Sequence, residues 1–185
     1  MASSRYHNFY EDGAVCFWTS AIVAHIPIFS SRTAALMLVD VLDARRTACG
    51  VKLIGYVIMP DHIHFAAWAE KADAVERFIS QVLGISSSNI AAMTQRAAAR
   101  GDRTAAKWLA GFQARARGNA KVRVWKERGR AFPVTDSDAL RDKLNYMHAN
   151  PVEAGLVARA EDWEFSSAAW YAYGTGPLRI DDFEF

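Results

Sequence analysis

The stretch Gly55-Tyr56-Val57-Ile58-Met59-Pro60-Asp61-His62-Ile63-His64-Phe65 decides how this 185-residue chain is read. β-Forming residues run up to Met59, Pro60-Asp61 makes a tight turn, and a second β-forming run follows. Two strands joined by so short a turn are antiparallel. Side chains alternate across a strand, so His62 and His64 project from one face while Ile63 turns into the core. Two imidazoles placed this way can converge on one metal ion. The same pattern also describes polar residues on a solvated sheet face.

A second informative stretch is Tyr146-Met147-His148-Ala149-Asn150, followed at once by Pro151. Asp136 or Ser137 caps a helix that is expected to run to about Asn150, where the proline disfavours continuation. Residues four apart on a helix share a face, so Tyr146 presents its phenol beside the Asn150 amide. His148 lies on another side and suits packing better than chemistry. A His pair with a helix-borne Tyr suits covalent cleavage of a phosphodiester, the Tyr acting as nucleophile. Histidine ligands alone would suit Zn²⁺ or Mn²⁺.

Outward from these stretches, Ala14 to Ala24 reads as a first strand, ended by Pro27. A helix from about Arg32 to Thr47 follows, with Gly50 beyond it. Val51 to Met59 and Ile63 to Ala69 are the second and third strands. Residues 72–100 are helical, and Gly84 with Ser86-Ser87-Ser88 is expected to divide them into two pieces. Lys121-Val122-Arg123-Val124-Trp125 alternates and is the expected fourth strand, with Val122 and Val124 inward. This β-α-β-β-α-β order predicts an α+β fold. It is a ferredoxin-like (RRM-like) antiparallel sheet with helices on one face, plus an added C-terminal helix carrying the tyrosine. The expected organisation is a single domain over 1–185 with a core of about 14–173.

Composition bounds the function. Apolar residues make up 51% and charged residues 23%, as in an ordinary soluble globule. No apolar run approaches the ~20 residues that span a bilayer, and the N-terminus lacks a secretory core. Cys16 and Cys49 form no CxxC pair, so a reducing cytoplasm is the expected location. The net charge of +2 hides a segregation, because residues 94–130 hold 11 Lys/Arg against 2 Asp/Glu. Such a block reads either as a polyanion-binding surface or as a solvated basic face. For single-stranded DNA, the expected contacts are Lys121, Arg123 and Trp125 on one strand face, with Lys126, Arg128 and Arg130 beyond it. Arg96 and Arg100, with Arg103, supply a second cluster.

Three motifs then carry a family resemblance. Tyr56 to His64, the run Tyr146 to Val157 (Tyr-Met-His-Ala-Asn-Pro-Val-Glu-Ala-Gly-Leu-Val), and Trp163-Glu164-Phe165-Ser166-Ser167-Ala168 resemble the HUH single-tyrosine transposases. The closest branch is the REP-associated tyrosine transposases of bacteria, and the resemblance spans about residues 14–173. It implies that His62, His64 and Asn150 hold Mg²⁺ or Mn²⁺ and that Tyr146 is the nucleophile. It implies nicking and rejoining of hairpin-bearing single-stranded DNA in the bacterial cytoplasm, at the nucleoid, and it allows a homodimer. Asp61 stands where the family usually has Asn, and residues 85–120 form a longer connection than usual. Two rival readings remain at this point. One is a non-catalytic single-stranded nucleic-acid-binding module on the same fold, the other a metal-dependent hydrolase that uses water.

Overall fold

The computed structural model describes residues 10–126 and 129–184. Strand β1 (Val15–Ala21) is followed by helix α1 (Arg32–Cys49), strands β2 (Lys52–Met59) and β3 (His62–Trp68), and helices α2 (Ala72–Ala99) and α3 (Arg103–Gln113). Strand β4 (Arg130–Val134), helix α4 (Ser137–Glu153) and the short helix α5 (Ala168–Tyr173) complete the order. The sheet runs β2-β3-β1-β4 with every pair antiparallel, the ferredoxin-like order expected from the sequence.

Alternation sorts the two faces. Cys16, Trp18, Tyr56, Ile58, Ile63 and Phe65 pack against α1 and α2, where Leu38, Leu42, Phe78 and Val82 meet them. Val15, Phe17, Val57, Met59 and Ala66 face the other way, onto Leu140 and Met147 of α4. A register shift between Leu53 and Gly55 lets Leu53 and Tyr56 reach the same face despite their odd spacing. The exposed edge of β2 is sealed by the C-terminal segment. Ile58 N donates to Phe165 O (2.8 Å), Ser167 N to Tyr56 O (2.9 Å) and Asp181 N to Leu53 O (3.0 Å).

Three expectations need correction. The fourth strand is Arg130–Val134, not Lys121–Trp125. Trp125 makes only an isolated bridge to Ile22, while Arg130 pairs with Thr19. Five steps along one chain segment therefore match three along the other, so the two pairings are not in one register. Pro133 is tolerated in β4 because that strand is at the sheet edge. Helix α2 is unbroken. Ser86 Oγ and Ser88 Oγ bond back to the carbonyls of Val82 (2.6 Å) and Gly84 (3.2 Å), which keeps both residues helical. Helix α4 continues past Pro151 to Glu153. The proline removes one amide donor, and Asn150 Nδ2 supplies others, to Tyr146 O (2.7 Å) and Met147 O (3.4 Å).

Helix α4 seats against β2 where residue 55 has no side chain. A Cβ on Gly55 would lie 2.5 Å from Leu144 Cδ2 and 2.8 Å from Met147 Cε. Beside that contact, His148 Nε2 lies 2.8 Å from Ser167 Oγ, which also accepts from Tyr56 N (2.9 Å). Burial pushes the His148 imidazole down to about 4.

Two outcomes follow for α4. Gly55→Ala should cost about 1–3 kcal/mol in denaturant unfolding, because both flexible side chains must move; a cost under ~0.5 kcal/mol would show that the helix does not seat there. Between pH 6.5 and about 4 the unfolded chain binds a proton that folded His148 refuses. Stability is therefore full above that window and falls as pH drops through it. In His148→Gln the acid dependence of the urea midpoint should be shallower than in the wild type.

Candidate active site and nucleic-acid interface

Strand register brings the site together. Thr19 on β1 lies opposite His64 on β3, so both point from the α4 face of the sheet. Thr19 Oγ1 lies 2.7 Å from His64 Nδ1, and Asp61 Oδ1 lies 2.6 Å from His62 Nδ1. The two imidazole centroids are 4.9 Å apart. With both Nδ1 atoms engaged by outer partners, the Nε2 atoms are the ones left for a metal, the usual way a protein aims histidine ligands.

Helix α4 carries the remaining groups over the same spot. The Tyr146 ring lies 5.8 Å from the His64 ring and 6.4 Å from Phe17, and it is 50% exposed, open to a polymer substrate. Phe17 also stacks on His64 at 5.8 Å. Asn150 ties its amide nitrogen to the α4 backbone and hydrogen-bonds His64 as well. Burial and the neighbouring His62 lower His64 to about 4, and the Asn150 hydrogen bond only partly opposes them. His64 is therefore neutral at pH 7, the form that ligates. Burial raises the Asp61 carboxyl, yet hydrogen bonds from His62 and His25 outweigh it and leave the group below its ordinary value.

Among the described residues no group of three or more His, Cys, Asp or Glu side chains is arranged to hold a metal. The donor set is instead two imidazoles and one amide oxygen. That set fits a divalent ion with coordination positions open to phosphate and water. The structure thus brings His62, His64, Tyr146 and Asn150 together.

The basic residues divide differently from expectation. Arg123 and Lys126 line one cleft with Arg115 and Arg117, at the end of α3. Lys121 is exposed beside it, Arg130 is exposed on β4, and Arg96 and Arg100 are exposed at the end of α2. Arg128 lies outside the described residues. Trp125 does not present a stacking face. It is 5% exposed, packs on Phe29 at 5.7 Å and donates Nε1–H to Ser86 Oγ (2.9 Å), so it belongs to the core. It turns inward because its segment is not a regular strand sharing a face with Lys121 and Arg123.

Sequence reasoning missed several residues. Arg115 and Arg117 stood within the charged block but carried no motif. Lys143 precedes Tyr146 by one helical turn, and its Nζ lies 5.4 Å from both the Phe17 and the Phe132 rings. Phe132 is 41% exposed on β4 beside it. The three-residue spacing of Lys143 and Tyr146 was a readable signal, whereas Phe132 needed the correct fourth strand.

Residues 27–127, more than half of the chain, match the family described as Transposase IS200 like. A solved REP-associated tyrosine transposase, bound to a REP hairpin, shares the fold with a TM-score of 0.59 and 16% identity. That match covers 99% of this chain and 95% of the other. A candidate transposase of Deinococcus radiodurans aligns with a TM-score of 0.44 and 17% identity, covering 81% of this chain and 97% of that one. No curated protein matches the sequence. Among the described residues no helix is long and apolar enough to cross a membrane. The family match holds β2, β3 and both histidines and spans more than half of the chain, which leads to one assignment: the chain belongs to the IS200-like transposase family.

Proposed function

We propose that this transposase nicks and rejoins single-stranded DNA through a phosphotyrosine link formed by Tyr146, with His62, His64 and Asn150 holding Mg²⁺ or Mn²⁺. The observation that carries the reading is the Tyr146 ring 5.8 Å from His64, with His62 next to it at 4.9 Å. A nucleophile and a ligand set so close can act on the same phosphate. A bound divalent ion would polarise the phosphate and offset charge developing on the leaving oxygen. Tyr146 Oη attacks phosphorus and loses its proton to solvent. The P–O3′ bond breaks, and the departing oxygen takes up a proton to become a free 3′-OH. The 5′-phosphotyrosine keeps the bond energy, so a second 3′-OH can reverse the step and join a new strand.

The substrate-binding part of the reading rests on charge. Arg115, Arg117, Arg123 and Lys126 offer a cationic cleft to the phosphate backbone. Lys143 and Phe132, at the tyrosine's side of the sheet, offer a cation and an exposed ring to the nucleotide next to the reacting phosphate. A hairpin-bearing strand is the proposed substrate form, by analogy with the hairpin bound to the structurally similar REP-associated transposase.

With Mn²⁺ and a panel of hairpin oligonucleotides, the wild type should give a covalent protein–DNA band on a denaturing gel. Tyr146→Phe should keep its fold and its DNA affinity while losing that band. His62→Ala, His64→Ala or EDTA should reduce cleavage by at least about 100-fold, and Asn150→Ala by less, since water can replace an amide oxygen. Cleavage by Tyr146→Phe at the wild-type rate would make water the nucleophile and the hydrolase reading correct.

DNA binding is tested separately. Replacing Arg115, Arg117 and Arg123 with Ala should weaken binding to a dT oligonucleotide and to mixed sequences alike. The slope of log affinity against log salt should become shallower by about 0.7 for each phosphate that is no longer neutralised. An unchanged slope would mean that the cleft does not touch the backbone.

A further inference from the structure

The outer side of His62 leads into a chain of side chains that the proposed chemistry does not use. Asp61 Oδ1 faces His62 Nδ1 at 2.6 Å, Asp61 Oδ2 faces His25 Nδ1 at 2.5 Å, and His25 Nε2 faces Lys126 Nζ at 2.6 Å. Hydrogen-bond chemistry orders the protons along it. An ammonium can only donate, so His25 Nε2 must accept. The His25 proton then sits on Nδ1 and is donated to Asp61. The other carboxylate oxygen accepts from His62 Nδ1–H, which leaves the His62 lone pair on Nε2, toward His64. A carboxylate only accepts, so Asp61 sets the Nδ1–H tautomer of both rings, while Lys126 and His25 anchor its second oxygen and so fix how the carboxylate is turned toward His62.

Backbone geometry supports the same reading independently. Ala24 and His25 have φ of 55° and 52°, two successive non-glycine residues in the left-handed region. Such strain persists only where surrounding structure holds it. Here Ile22 N donates to Asp61 O (2.7 Å), Phe29 N to Pro60 O (2.9 Å), Val23 N to Val124 O (2.8 Å) and Lys126 N to Ala21 O (2.8 Å). These bonds fasten the 22–29 loop to the Pro60-Asp61 turn on one side and to the Lys126 segment on the other. They are main-chain bonds and survive truncation of the side chains. The His25 and Lys126 side chains are exposed, so the relay contributes little to stability.

We propose that His25 and Lys126 are positioning residues that hold the Asp61 carboxylate in place and, through it, the orientation of the His62 ring as a metal ligand. This rests on the reading of His62 and His64 as metal ligands. It makes Asp61 the outer partner that carries the effect.

The test is Mn²⁺ binding to the full chain without DNA, by calorimetry, alongside ¹⁵N NMR of the histidine rings. Wild-type His62 should show the Nδ1–H tautomer. Asp61→Asn should weaken Mn²⁺ binding about 10-fold or more, since one carboxamide cannot accept from both histidines. His25→Asn retains a residue suited to positive φ but cannot span the gap to Lys126; it should weaken binding by about 3- to 10-fold while His62 keeps its Nδ1–H tautomer on Asp61. Lys126→Met should weaken binding in the same direction. Unchanged Mn²⁺ affinity in His25→Asn, with the thermal transition intact, would overturn the proposal. A wild type that binds no Mn²⁺ while His62 still shows Nδ1–H would instead overturn the metal-ligand reading, and the relay's purpose with it. Mn²⁺ binding that survives in wild type and disappears in His64→Ala separates these two failures.

Discussion

Helix α4 packs on β2 over Gly55, where the strand has no side chain. Leu144 and Met147 come so close to that backbone that a Cβ would lie 2.5 and 2.8 Å from their terminal methyls. Tyr146 and Asn150 are rigidly spaced from those two residues by helical geometry. The apolar packing of α4 on the sheet, this contact included, therefore holds a phenol and an amide over β3. Ser167 and His148 reinforce the seat from its side. A helix is stiff over this length, so packing in its middle is felt at the site without any loop between them.

The site works by keeping His64 uncharged. Burial lowers its imidazole most, and the neighbouring His62 adds to this, so it stays neutral well below pH 7. The outer nitrogens are meanwhile satisfied, one by Thr19 and the other by Asp61. What remains is the pair of Nε2 atoms, with Asn150 against His64 and an exposed phenol beside them. Phe17 completes the arrangement by stacking on one ring and supporting the edge of the other. The cationic cleft meets the site at one point, where its Lys126 lies against His25.

Much of this was legible in the chain. The Pro60-Asp61 turn and strict alternation after it put both histidines on one sheet face, because period two leaves no other choice once the pairing is antiparallel. Tyr146 and Asn150 share a helix face for an equally local reason. Other features were not local. The β1 edge is shared by residues near 125 and by 130–134, and which of them forms the regular strand depends on pairing with a partner more than a hundred residues away. Serines in α2 resemble breaks until their hydroxyls bond back to the helix. Pro151 resembles a terminus until the Asn150 side chain supplies the missing donors.

By itself the sequence determined the antiparallel α+β framework, the shared face of His62 and His64, the pairing of Tyr146 with Asn150, and the basic block in 94–130. These depend on residue periodicity and composition, which neighbouring positions carry between them. Tertiary structure decided that Trp125 is a core residue on Ser86, that Arg115 and Arg117 join Arg123 and Lys126 in one cleft, and that Lys143 and Phe132 flank the tyrosine. It also decided that Asp61 sits between His25 and His62. Each of those is a meeting of segments distant in the chain, set by strand register and by how closely α4 can approach Gly55.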